Sequence, residues 1–137
     1  MSFAKAYLGT ILPFLIIDAV WIRFVVSGYY QETVGHLLLD TPNFVPAGLF
    51  YLAYAAGIVV LAVRPAIAAQ KLKTALINGG ILGAIAYGTF TLTNYSVLQG
   101  WTTGLVISDI LWGTFLTGLS AGCGYLFARG QATPTGL

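Results

Sequence analysis

Charge, cysteine and histidine are all scarce in this chain, and each scarcity removes a class of protein. Charged residues make up 7% of its 137 positions, against about 25% in soluble domains, so the chain cannot cover a surface that faces water on all sides. A single cysteine, Cys123, excludes an intramolecular disulfide and a cysteine-built metal cluster. A single histidine, His36, cannot hold zinc or haem without further ligands, so it is read as a solvated residue of a connecting segment. No metal and no cofactor is expected. Six basic residues against four acidic ones give a net charge of +2, too small and too scattered for a nucleic-acid partner. The sequence also lacks a Ser-His arrangement and a phosphate-cradling glycine loop, which removes the most familiar hydrolytic and nucleotide chemistries.

What the chain has instead is apolar length. Hydrophobic residues make up 58% and the mean hydropathy is +0.85. A span needs about 20 apolar residues, and the sequence offers four such stretches, at residues 7–26, 46–63, 74–98 and 103–127. The fold class expected is therefore all-α: an integral membrane four-helix bundle forming one domain over residues 1–128, with a disordered tail at 129–137. The first stretch superficially resembles a signal peptide. It continues past Asp18 without a small-x-small cleavage site, so it is read as a retained span.

The connections carry the remaining signals. Pro13 removes a backbone donor inside the first stretch and predicts a local kink. Residues 27–45 form the longest polar connection, whose tyrosines suit a headgroup region and whose Glu32 to Leu39 part suits a short interfacial helix. Asp40, Thr41 or Asn43 can cap the second stretch, Pro46 suits its first turn, and Arg64-Pro65 ends it. Within it, Tyr51 and Tyr54 serve either a polar cluster or an aromatic belt. Lys5, Arg64, Lys71, Lys73 and Arg129 fall on one side of a four-span arrangement. The positive-inside rule places both termini in the cytoplasm.

Two aspartates lie inside the apolar stretches, and intramembrane acids are costly enough to be functional candidates by default. Both are followed by tryptophan at the same spacing: Asp18-x-x-Trp21 and Asp109-x-x-Trp112. At 1.5 Å per residue, Asp18 lies about 13 Å and Asp109 about 9 Å from the same outer end. The first and last stretches run in opposite directions, so a register that matches these depths sets Asp18 beside Trp112 and Trp21 beside Asp109. Each indole N–H then serves the other helix's carboxyl group. Tyr87, Thr91 and Asn94 share a face of the third stretch in the same layer and extend the candidate site to seven residues. The bland reading uses the aspartates simply as interhelical hydrogen-bond glue.

Small residues mark close helix contacts. Gly80 and Gly83 permit approach early in the third stretch, closing the half of the molecule beneath the polar layer, while Asn78 points away from that face. Gly118 and Gly122 form a GxxxG in the fourth stretch, against either the third stretch or another copy of the chain.

The Asp18-x-x-Trp21 element, the run from Tyr87 through Thr93-Asn94 and Gly100-Trp101, and the closing Asp109-Ile110-Leu111-Trp112-Gly113 together resemble the bacterial membrane-protein family known as domain of unknown function 2177. The resemblance covers nearly the whole chain and implies a compact four-span protein of the bacterial inner membrane. It transfers no activity and no catalytic residue. One departure is Thr102, where the family pattern leads one to expect proline. Three functions are consistent with these residues. The first is a protein that binds or transports a small solute, proton or lipid at Asp18 and Asp109. The second is an accessory subunit of a larger membrane complex, or a homo-oligomer. The third is a lipid-modifying enzyme using the two carboxyls as acid and base. Membrane lipid is the one partner common to all three.

Overall fold

Away from water a chain must satisfy its own backbone N–H and C=O groups, and in an all-apolar run the helix does so within one segment. The computed structural model describes residues 2–39 and 43–132, and among these the regular structure is helical throughout. Helix α1 (Phe3–Trp21) starts at Ser2, whose hydroxyl accepts from the Lys5 N–H at 3.4 Å. It runs unbroken through Pro13 and continues into a wide, π-helical segment, Ile22–Tyr30. A short α2 (Gln31–Val34) and a 3-10 turn (Gly35–Leu37) follow. Helix α3 (Phe44–Ile58) is capped by Asn43, whose side chain accepts from the Val45 N–H at 3.2 Å. The other two cap candidates, Asp40 and Thr41, lie outside the described residues. A second wide turn, Val59–Val63, leads into α4 (Arg64–Ala69), and then come α5 (Leu72–Val97) and α6 (Thr103–Ala132).

Four helical stretches are long and apolar enough to cross a membrane: Phe3–Val25, Phe44–Ala69, Leu72–Val97 and Thr103–Arg129. Three points differ from the sequence reading. The first span ends at Val25, as expected, and the short helical turns expected in the connection are α2 and the 3-10 turn, but the chain leading to them stays helical through Ile22–Tyr30 instead of opening into a loop. The second does not end at Arg64-Pro65: proline sits in the first turn of α4, where its missing N–H is tolerated. That missing donor is the natural partner of the Leu61 carbonyl, and the Asn78 side-chain amide supplies the bond instead, at 3.2 Å. Asn78 is thus a tie between two helices. At the far end α6 continues through Ala132, so residues 129–132 are helical and not the start of an unstructured tail. Residues 133–137 lie outside the described residues.

Helix α6 sits at the centre. Half of its spanning window is buried, against 22–28% for the other three, because α5 and α1 both pack along it. The contact with α5 is made backbone to backbone. A Cβ on Gly83 would overlap the Gly113 carbonyl, and one on Gly79 would stand 2.8 Å from Ala121 Cβ and 2.9 Å from the Thr117 carbonyl. Gly79, which the sequence reading passed over, is therefore the partner of Gly83. Gly80 is turned aside, with its nearest neighbour, Thr114, in ordinary contact at 3.6 Å. Gly118 and Gly122 face Leu76, so the GxxxG is occupied by α5 of the same chain. Fully buried alanines (Ala62, Ala66, Ala75, Ala121, Ala128) fill the half of the molecule nearer the termini. The opposite half holds both aspartates.

Candidate functional site

The antiparallel course of α1 and α6 brings Asp18 to Trp112. The indole Nε1–H donates to Asp18 Oδ1 at 3.3 Å, and the Tyr51 hydroxyl of α3 donates to Oδ2 at 2.8 Å. Asp18 is 6% exposed and both of its oxygens are partnered. This half of the reciprocal Asp–Trp arrangement expected from the sequence is present.

The other half is not. Trp21 stacks on Trp112, with ring centroids 4.2 Å apart and planes within 10°, and its N–H does not reach Asp109. The partner of Asp109 is Tyr30, whose hydroxyl donates to Oδ1. Each wide turn places one extra residue per turn, a shift in facing of about 100°. The Ile22–Tyr30 segment uses this shift to carry Tyr30 over the aspartate, while the adjacent Tyr29 lies against Gly104, where a Cβ would meet its hydroxyl. The signal available in the sequence was the absence of proline between Trp21 and Tyr30 together with paired tyrosines. Face counting at 100° per residue could not find it.

The Thr91 hydroxyl of α5 lies near the Asp109 carboxyl, where it can donate only a long, weak bond that falls outside hydrogen-bond geometry. The same hydroxyl accepts from the Trp101 Nε1–H at 3.0 Å, and Asp109 Oδ2 is left buried without a hydrogen-bond partner. Tyr87, also on α5, is packed over Gly113, where any Cβ would strike its ring. Its hydroxyl makes no hydrogen bond among the described residues. Of the seven candidate residues, six (Asp18, Trp21, Tyr87, Thr91, Asp109 and Trp112) fall in this layer. Asn94 does not join it: partly buried, it makes no side-chain hydrogen bond among the described residues. Tyr54 takes the cluster role over the belt role, sharing a 2.8 Å bond with the Thr117 hydroxyl below the layer.

The turn that closes the site is built locally. Gly100 has φ of 85°, a conformation favouring glycine, and His36 rests against it from the first connection, its ring exposed. Thr102, in the position where proline was expected, accepts from the Leu105 N–H at 3.1 Å and so caps α6. Pinning this turn places Trp101 at once over Thr91 and edge-on to Tyr30, 5.9 Å between centroids.

Tyr30 lies beyond the spanning part of its helix, and burial, then its bond to Asp109, holds the phenol well above its ordinary range. A phenol kept neutral in the fold but free to ionise in the unfolded chain stabilises the protein fully below about pH 10, the ordinary tyrosine value. That contribution is lost as pH rises above it. Stability measured by thermal unfolding in detergent is therefore expected to fall with rising pH above this point, and to fall less steeply in Tyr30→Phe. Equal slopes for the two proteins would contradict the assignment.

The geometry can be set beside known proteins. A family model described as a predicted membrane protein, domain of unknown function DUF2177, matches residues 3–126. No curated protein and no solved structure matches the chain.

Proposed function

Because the chain belongs to the DUF2177 family of predicted membrane proteins, a description that names no activity, we propose its function from the site: it binds a small solute at Asp18 and Asp109 and exchanges protons in doing so. The observation that carries this reading is the asymmetry of the two acids. Asp18 is closed by two donors, whereas Asp109 keeps one buried oxygen without a hydrogen-bond partner. Buried polar atoms are normally satisfied, so an open acceptor of this kind asks for a donor from outside. We place both termini in the cytoplasm of the bacterial inner membrane, on the side of Lys5, Arg64, Lys71, Lys73 and Arg129, which leaves the aspartate layer in the outer half.

The accessory-subunit reading drew on the GxxxG and on the aromatic faces, and the first of these is already covered by α5. An acid–base enzyme needs both carboxyls free to address one substrate, and Asp18 is held by Tyr51 and Trp112. Solute binding needs one open carboxyl oxygen, which Asp109 supplies, with Asp18 as the second acid of the same layer. The test is proton release from the purified protein in nanodiscs, in weakly buffered solution, on adding butylammonium or glycerol at matched pH. One of the two probes is expected to release protons from the wild type, with the response lost at least tenfold in Asp109→Asn and Asp18→Asn. A response retained in both variants, or a wild type indistinguishable from empty nanodiscs, overturns the reading.

A further inference from the structure

In the half of the molecule away from the aspartates, an apolar groove of about 350 Å³ opens on the side of the bundle between the first turns of α1 and the last turns of α6. Its walls are Leu8, Gly9, Leu12 and Pro13 from α1 and Cys123 and Phe127 from α6. The volume falls within the range of small-ligand pockets, about 300–1,000 Å³. Leu8, Leu12 and Phe127 are each about half exposed, as lipid-facing residues of a spanning helix are. Gly9 lets Phe127 settle against α1, since a Cβ there would stand 2.8 Å from Phe127 Cβ. The other face of this wall is charged. The Lys5 ammonium lies over the Phe127 ring, 5.9 Å from its centroid, and along α1 Lys5 precedes Leu8 and Gly9 by one helical turn, about 5 Å.

We propose that this groove seats an acyl chain of an anionic phospholipid whose headgroup phosphate meets Lys5. Two observations select that occupant. The walls descend along α1 from Leu8 to Pro13 and are apolar throughout, so they follow the course of an acyl chain through its own leaflet. The positive charge stands at the end from which that chain would descend, two residues from the start of α1 at Phe3, which is the level of the headgroups for a spanning helix. Arg64, Lys71, Lys73 and Arg129 fall at the same end and favour an anionic leaflet there; Lys5 is joined to the groove itself through Phe127. A phosphodiester that brings no cation of its own, as in phosphatidylglycerol, complements the ammonium. Phosphatidylcholine carries a trimethylammonium beside its phosphate and gains less from it. The site lies in the opposite half from Asp109 and stands independently of solute binding.

The test is native mass spectrometry of the full chain released from detergent, after equilibration with equal amounts of phosphatidylglycerol and phosphatidylcholine of the same acyl chains. Phosphatidylglycerol is expected to be retained about fivefold more than phosphatidylcholine, the scale set by one lysine beside an anionic headgroup. Lys5→Gln is expected to abolish the preference and Lys5→Arg to keep it. Lys73→Gln, which removes a charge from the same end without altering a groove wall, is expected to leave it unchanged. Two changes fill the groove: alkylation of the chain's one cysteine, Cys123, by N-ethylmaleimide, with the adduct read in the same spectrum, and Leu12→Trp at a half-exposed wall position outside the core. Each is expected to remove the retained phosphatidylglycerol. A wild type that retains neither lipid or both equally, or a preference that survives Lys5→Gln or is lost as fully in Lys73→Gln, overturns the proposal. So does wild-type retention in the Leu12→Trp and alkylated proteins. A dimer that Leu12→Trp dissociates would assign the groove to a second copy of the chain and overturn the lipid.

Discussion

Gly83→Ala is expected to destabilise the protein by about 3 kcal/mol or more, at the upper end of overpacking costs. The added methyl group meets the Gly113 carbonyl, and α6 backbone cannot rotate out of the way as a side chain could. Relief requires α5 and α6 to separate, which also breaks the approach at Gly79 and moves Tyr87 off Gly113. Gly80→Ala, one turn-step round the same helix, provides the control. Its methyl group meets Thr114 at an ordinary 3.6 Å, and alanine is the better helix former by about 1 kcal/mol, so stability is expected to hold or rise slightly. Thermal unfolding in detergent, followed by circular dichroism, separates the two. Equal behaviour of the pair would remove the close α5–α6 contact from the account.

Trp112→Ala is expected to be the most damaging change within the site, by about 3 kcal/mol or more for the lost aromatic volume. Three interactions go together: the stack on Trp21, the contact with Phe115 and the N–H bond to Asp18. Removing the N–H leaves a buried carboxylate oxygen without a partner, which alone costs about 1–3 kcal/mol. Trp112→Phe keeps much of the ring contact and loses the bond, so its expected cost is about half that of alanine. Unfolding midpoints of the two variants decide the matter. A phenylalanine variant as stable as the wild type would mean that the bond to Asp18 contributes nothing.

How much of this was legible beforehand follows from what each residue's position depends on. The four apolar stretches, the Asp18–Trp112 pairing and the place of Tyr87 and Thr91 all follow from helix pitch and antiparallel order, which are local or nearly so. The partner of Asp109 was not legible, because a wide turn resets which side of the helix Tyr30 faces and nothing in hydrophobic periodicity records it. Gly79 was missed in favour of Gly80 because neighbouring residues differ by only about 100° in direction, while the contact itself is set by where Gly113 and Thr117 lie. Asn78 needed knowledge of a carbonyl on another helix. Its role follows from Pro65, thirteen positions earlier in the chain and joined to it only once the helices have packed.

The Asn78–Leu61 bond and the glycine contact beneath the site have a mechanical consequence. Where backbones touch through glycine and alanine there is no slack for partial separation, since interiors packed this tightly change by steps and not by degrees. The helices therefore resemble a pair of tongs, riveted near the termini and able to spread at the tips, where longer tyrosine and tryptophan side chains leave room for small adjustments. Whatever is taken up between the tips must leave by the same mouth or sideways into the bilayer, unless the rivet itself is drawn.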